Sequence, residues 1–406
     1  MSPSLDAPAF VHDFKPGAIH YGRGCVADLS EALSARGLEN AVVVCGRNVG
    51  ANHDVMDPVE AGLGDRLAAT FDETTPEKRI ETAYDGLEVA REVGADALVP
   101  VGSGSSLDTA KATSVLHGEY RTIEEAAEEV AERGYLSLPD DPDDLLPTFP
   151  VPTTFAGADL STVAGITVPT PEGGRTSTGV GGQALMPTAL FYDPDLFETT
   201  PPGVLAGSAF NGFDKAVEMC YSRHGNPITD GTAVRSLSYL RDALPRLRGE
   251  DGGLSDDPSA MDRAVIGIVL AQYGLAARSA PKTSVIHAFG HGLRFAWGVQ
   301  QGIAHAVMVP HVLRLLFDQV DGRRDLLAEG LGVAEADDRA EAIVDVVEEI
   351  RDALDLPARL RDVEGTDEAG IPEAARLTHE DAYLHRGPPD FEPTVEEVES
   401  AIRAAW

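Results

Sequence analysis

ALVPVGSGSSLDTAK, residues Ala97–Lys111, is the stretch from which the fold is read. Its apolar, partly β-branched start reads as a buried strand, and the helical pattern runs from about Ser106 to Leu116. Between them, Gly102 and Gly104 allow a ligand close to the backbone. The N–H groups of Ser105 and Ser106 then stand at the positive end of a helix, a cradle suited to a diphosphate. Asp108 is placed in the first turn, where a carboxylate suits the helix dipole, and Lys111 about one turn later. The stretch lacks the third glycine of GxGxxG and the GK[ST] of a P-loop. Alone, it fits a capped structural turn as well as a nucleotide loop.

Working outward, AVVVC (Ala41–Cys45) is a second β-branched run, and Pro76–Val93 carries Ile80, Ala83, Leu87 and Ala90 at helical spacing. Strand, helix, strand, helix predicts a Rossmann-like, doubly wound parallel sheet. Glu124–Asp144 is an acidic helix and loop with no assigned chemistry. PTFPVPTTF restarts the sheet, and residues 164–194 read as a β-hairpin and a closing strand. After Asp195 the pattern is helical, over about 202–222, 228–247, 259–278, 283–295, 302–316, 323–331, 336–354 and 395–405. The expectation is an α/β dinucleotide-binding domain, residues 1–195, followed by an all-helical domain, residues 196–406, that carries the substrate site.

The chain has 406 residues, 43% of them hydrophobic, so it can bury a substantial core. Acidic residues number 67 against 32 basic ones, a formal charge of −35. That surface repels nucleic acid and anionic membranes. Only five basic residues are lysines (Lys15, Lys78, Lys111, Lys215 and Lys282) and 27 are arginines. Such lysine depletion resembles proteins from organisms that hold molar salt in the cytosol, where a Debye length of about 3 Å screens self-repulsion. An ordinary acidic protein is the alternative. Cys25, Cys45 and Cys220 form no CxxC pair, which argues against a disulfide framework or zinc knuckle. The N-terminus MSPSLDAPAFVHDF has no signal-peptide pattern, and no apolar run reaches membrane-spanning length. A cytoplasmic protein is expected.

GSGSSLDTAK resembles the GGGSxxDxAK loop of the iron-containing (group III) alcohol dehydrogenases, relatives of glycerol dehydrogenase and dehydroquinate synthase. The resemblance continues through PTTFAG (Pro152–Gly157), YDP (Tyr192–Pro194), NGFDKAVE (Asn211–Glu218), HAFGH (His287–His291) and GIAHAVMVPHV (Gly302–Val312). PTTFAGADLSTVAGIT and NGFDKAVE look closest to the maleylacetate reductase branch. The resemblance implies that Gly102, Gly104, Ser105 and Asp108 hold the cofactor, with Thr153 and Thr154 lining its groove. NAD-preferring relatives carry an acidic residue after the second strand, where this chain reads Cys45-Gly46-Arg47-Asn48. Gly46 and Arg47 admit a 2′-phosphate, so NADP(H) is favoured, with NAD(H) the alternative. A homo-oligomer is also implied.

The family's metal ligands are an Asp, a His four residues later, and two further histidines. Aligned on this chain, those positions read Asn211, Lys215, His287 and Gln301. Glu218 falls on a family glutamate, and His291 on its non-ligand active-site histidine. An ammonium cannot ligate a metal and amide oxygens are weak ligands for Fe²⁺ or Zn²⁺, so the metal site reads as lost. A rival register keeps a Fe or Zn site with Asp214, Glu218 and His287.

On the first register, Lys215 supplies the positive charge for a developing alkoxide. Its structural alternative is an ion pair with Asp214 or Glu218. His287 or His291 relays the proton. Asn211, Phe155, Arg294 and Gln301 are the substrate candidates, Arg294 for a carboxylate, and Phe289, Phe295 and Trp297 are further wall aromatics. His305 and His311 read as packing or capping residues, and Lys282 as a pocket cation or a loop lysine. The function expected is an NAD(P)-dependent oxidoreductase that interconverts a carbonyl, or an enone acid, and an alcohol without a metal. The alternatives are a metal-dependent alcohol dehydrogenase and a non-catalytic nucleotide-binding protein.

Overall fold

The computed structural model describes residues 17–171, 173–249, 251–277 and 283–406. The strands are β1 (Ala18–Tyr21), β2 (Ala41–Val44), β3 (Leu67–Phe71), β4 (Ala97–Gly102), β5 (Val151–Pro152), β6 (Val163–Pro169), β7 (Arg175–Gly181) and β8 (Ala189–Tyr192). Every residue of β2 and β4 is buried, as parallel strands covered on both faces require. They are the centre of a parallel sheet in the order β3-β2-β4-β5. β1 pairs in parallel with β8. The N–H groups of Thr188 and Phe191 donate to the carbonyls of Thr148 and Pro150, both at 2.9 Å, and so attach β8 to the β5 segment. β6 and β7 form an antiparallel hairpin.

The helices among these strands are α1 (Leu29–Ser34), α2 (Arg47–Gly50), α3 (His53–Leu63), α4 (Ile80–Glu92), α5 (Gly104–Gly118), α6 (Ile123–Arg133) and α7 (Pro194–Phe197). Ile80, Ala83, Leu87 and Ala90 are all buried on α4, as their spacing predicts. The helix starts at Ile80 and not at Pro76, because Lys78 takes a left-handed φ of 50° and Arg79 is extended. A capping box between Thr122 and Glu125 opens the acidic helix α6.

The chain divides into two compact units, one ending at Thr200 and one running from Pro201 to Trp406. The second contains α8 (Pro202–Tyr221), α9 (Pro227–Ala243), α10 (Pro258–Leu275), α11 (Val285–Trp297), α12 (Gln301–Gln319), α13 (Arg324–Gly330), α14 (Arg339–Ala353), α15 (Ile371–Glu380) and α16 (Val395–Ala404). α15 falls where no helix is expected from the sequence. α8 and α12 approach so closely that a Cβ on residue 302 would lie 2.0 Å from the Gly207 carbonyl oxygen, which makes Gly302 obligatory at that crossing. Among the described residues no helix is long and apolar enough to cross a membrane.

One buried cation ties the first unit together. Lys111 on α5 is 1% exposed. Its ammonium donates to the carbonyls of Ala158 (3.0 Å), Ser161 (2.8 Å) and Val163 (3.3 Å), which uses all three of its protons. Burial pushes its pKa down to about 8, against the opposing pull of Asp108 and Asp159.

The ordinary lysine value is 10.5, so between those two values the unfolded chain binds the extra proton and stability contributed by this group rises with pH. Thermal melts of wild type and Lys111→Met from pH 7.5 to 10 are expected to show wild type gaining on the variant through this window. A pH-independent offset would refute the assignment.

Candidate active site

Gly102 ends β4 with φ at +119°, and a Cβ there would lie 3.3 Å from Val49; only glycine takes that conformation without strain. Ser103 is the N-cap of α5, so the N–H groups of Gly104 and Ser105 head the helix, where the opening turn lacks intrahelical partners. Ser106 donates back to the Ser103 carbonyl (3.1 Å) and pairs with Thr74 hydroxyl to hydroxyl (3.0 Å). The Thr153 N–H donates to the Gly102 carbonyl (3.0 Å), and the Thr153 carbonyl accepts from the Thr200 hydroxyl (2.7 Å). Thr154 is buried beside it. The glycine-rich turn and the threonine segment are thus one hydrogen-bonded unit. Gly46 is the extended N-cap of α2 and Arg47, its first residue, is exposed.

The helical unit builds its polar centre on α8. Asp214 and Glu218 stand four residues apart on that helix with no exposed surface. The Glu218 carboxylate accepts from the N–H groups of Ser284 (3.0 Å), Ile286 (2.8 Å) and His287 (3.3 Å), and meets His287 Nδ1 at 2.8 Å. It therefore caps α11 from another helix, satisfying donors that a helix start leaves open. Burial alone would raise its pKa. The charge and hydrogen bond of His287 and the Ser284 N–H outweigh burial and hold it below the usual glutamate value.

Asp214 lies against His305 of α12. The His305 and His287 rings are 4.7 Å apart, edge to face. Ligand atoms of Asp214, His287 and His305 all lie within 4.8 Å of one another. Lys215 is 9% exposed. One turn along α11 from His287, His291 Nδ1 meets the Asp381 carboxylate at 2.9 Å. Asp381 also accepts from the Tyr383 N–H (2.7 Å), and the Tyr383 ring packs edge-on to His291 at 5.0 Å under the Arg386 guanidinium. Burial raises the Asp381 pKa, but the His291 hydrogen bond, the Tyr383 N–H and the charges of His291 and Arg386 together more than reverse it, leaving it below the ordinary value.

Several sequence expectations change. Asp108 is the fifth residue of α5 and not in its first turn, and its carboxylate is held by Lys78 at 2.6 Å. Glu218 is no metal ligand, because its oxygens are spent on α11. His305, expected to pack or cap, takes the place that the rival register gave Glu218, beside Asp214 and His287. The carboxylates proposed as Lys215 partners both face histidines. Phe155 is fully buried on Phe197 (5.0 Å) and Phe289 is also fully buried, so both are core residues and not pocket walls. Arg294 and Phe295 are exposed on α11, Trp297 is partly exposed, and Asn211 and Gln301 are partly buried on α8 and at the start of α12. His311 is a packing residue whose pKa burial, with Arg314 and Arg351, pushes down to about 4. Lys282 lies outside the described residues. The sequence reading missed Asp381, Tyr383 and Lys78. His305 carried a signal, one turn beyond Gln301.

Comparison with known proteins agrees with this architecture. Residues 16–194 match the iron-containing alcohol dehydrogenase family model, and residues 205–406 match the C-terminal model of the Fe-containing alcohol dehydrogenase family. Lactaldehyde reductase of Escherichia coli (strain K12) is 27% identical over 399 residues, 95% of this chain and 97% of that protein. Maleylacetate reductase of Sphingobium indicum is 27% identical over 323 residues, 80% of each chain. The structure of sulfoacetaldehyde reductase from Bifidobacterium kashiwanohense in complex with NAD⁺ superimposes with a TM-score of 0.83 at 19% identity, covering 98% of this chain and 99% of that one. With both halves matched in order, the chain belongs to the iron-containing alcohol dehydrogenase family.

Proposed function

We propose that this oxidoreductase uses NADP(H), with NAD(H) as the alternative, to interconvert a small carbonyl compound or enone acid and an alcohol, with a protein ammonium group in the place of a catalytic metal. The observation that carries this reading is the buried Lys215 on α8, next to Asp214 and four residues from Asn211. The family implies iron, but the four ligand positions hold Asn211, Lys215, His287 and Gln301, and a protonated amine has no lone pair for a metal. No step is therefore routed through an ion there.

Gly102, Gly104, Ser105 and Thr153 would hold the dinucleotide, which when bound would supply a hydride to the carbonyl carbon in the reductive direction, the carbonyl π pair moving to oxygen. Lys215 stabilises that alkoxide. A proton from His291 completes the alcohol and leaves oxidised nicotinamide. Asp381 is a positioning residue here: its bond to Nδ1 sets the tautomer and leaves Nε2 for the substrate. The exposed Arg47 beside Gly46 supports a 2′-phosphate, and the exposed Arg294 a substrate carboxylate.

Titration of NADPH and then NADH into the protein in molar KCl, followed by nicotinamide fluorescence, is expected to show tighter NADPH binding. Failure of both nucleotides to bind removes the oxidoreductase reading. Lys215→Ala should lower kcat/KM by about 10²–10³-fold with nucleotide affinity retained, and Lys215→Arg should recover part of it. Near-wild-type turnover in the alanine variant would eliminate the ammonium's role.

Asp381→Asn should lower kcat for carbonyl reduction by roughly 10–100-fold and shift the alkaline limb of the kcat–pH profile, where the proton donor is lost, with nucleotide affinity unchanged. An unchanged profile means that Asp381 only packs.

A further inference from the structure

We propose that Asp214, His287 and His305 form a closed site for one resident divalent cation that pins α8, α11 and α12 together, apart from the hydride-transfer chemistry. The three side chains come from three helices, and none is more than 5% exposed. Asp214 and His305 lie against each other, yet neither carboxylate oxygen of Asp214 and neither ring nitrogen of His305 makes a hydrogen bond of normal geometry among the described residues. One Asp214 oxygen and His305 Nδ1 face each other, which leaves Asp214 Oδ1 and His305 Nε2 as orphaned polar atoms at one buried point, costly unless a ligand binds them.

The chemistry of the set agrees. Glu218 occupies His287 Nδ1 and leaves Nε2 for a metal, the carboxylate–histidine arrangement that orients metal-binding imidazoles. Donors about 2.0–2.2 Å from a zinc-sized ion stand at most roughly 4.4 Å apart, and these three already lie within 4.8 Å of one another. Two nitrogens and one carboxylate suit Zn²⁺ or Fe²⁺ over Mg²⁺ or Ca²⁺. Asp214 and Glu218 also bring two negative charges into one helical turn without solvent, which a divalent ion and neutral imidazoles balance.

The position is informative. Asp214 is one helical turn from Asn211 on α8, and His305 one turn from Gln301 on α12. The carboxylate and imidazole missing at 211 and 301 are therefore present one turn along the same two helices, around the shared His287. Three protein ligands leave a fourth position for water, and with all three buried that position does not face solvent, which sets the site apart from the hydride-transfer chemistry.

The test measures metal content of untagged protein purified in molar KCl without chelator. Wild type and the control His311→Gln are expected to carry about one equivalent of zinc or iron per chain. Asp214→Asn and His305→Asn should carry less than about a tenth of that while still binding nicotinamide nucleotide. Should those variants not fold, wild type decides the matter. After chelator treatment it should lose thermal stability and, on adding Co²⁺, develop the visible absorption of nitrogen- and oxygen-ligated cobalt. Wild type that purifies without metal and binds neither Zn²⁺ nor Co²⁺ overturns the proposal and leaves two buried carboxylate–imidazole pairs. Metal retained at full occupancy in both asparagine variants overturns it as well.

Discussion

The Glu218 carboxylate is the constraint on which the helical unit depends. It sits without exposed surface on α8 and accepts three N–H groups from the start of α11 and the His287 ring. A bare carboxylate in that position would be prohibitively expensive; with four donors it becomes a fixed anchor. It sets the height and rotation of α11 against α8. Every later residue of α11 inherits that setting, including His291 and its bond to Asp381. Loss of this one side chain would leave the opening N–H groups of α11 unsatisfied and His287 free to turn.

The same logic runs through the α/β unit, with the sign of charge reversed. There a buried ammonium, Lys111, gathers three carbonyls of the chain leading into β6 and at its first residue. Lys78 meets Asp108 below the glycine-rich turn. Two of the five lysines thus serve internal contacts. In a chain whose basic residues are mostly arginine, Lys111 marks a place where a compact ammonium with three donors fits and a planar fork does not.

Much of the fold was legible because it rests on local pattern. The fully buried β2 and β4 read as continuous apolar runs, and α4 shows its face in Ile80, Ala83, Leu87 and Ala90. α15 was not legible: its buried face, Ile371, Ala374, Ala375 and Thr378, is made of small or weakly apolar residues. In the candidate site, the sequence places Lys215 on one helix and His287 and His291 one turn apart on another, as the structure has them. Partner choice was not legible. His291 takes Asp381 from 90 residues away, and Asp214 faces His305, which sits on another helix. Such pairings arise from the packing of whole helices, and no spacing rule within one segment encodes them.

The environment of Lys111 has a consequence for how the enzyme relates to its solvent. Three backbone carbonyls converging at 2.8–3.3 Å on one positive centre make the kind of oxygen cage that strips and holds a monovalent ion. Here the ion is covalently tethered, so its occupancy does not depend on the dissolved salt. A surface with a formal charge of −35 depends on dissolved counter-ions for its screening, while the loop beside the glycine-rich turn carries its own. The part of the molecule beside the glycine-rich turn thereby holds its positive charge within the fold and not from dissolved ions.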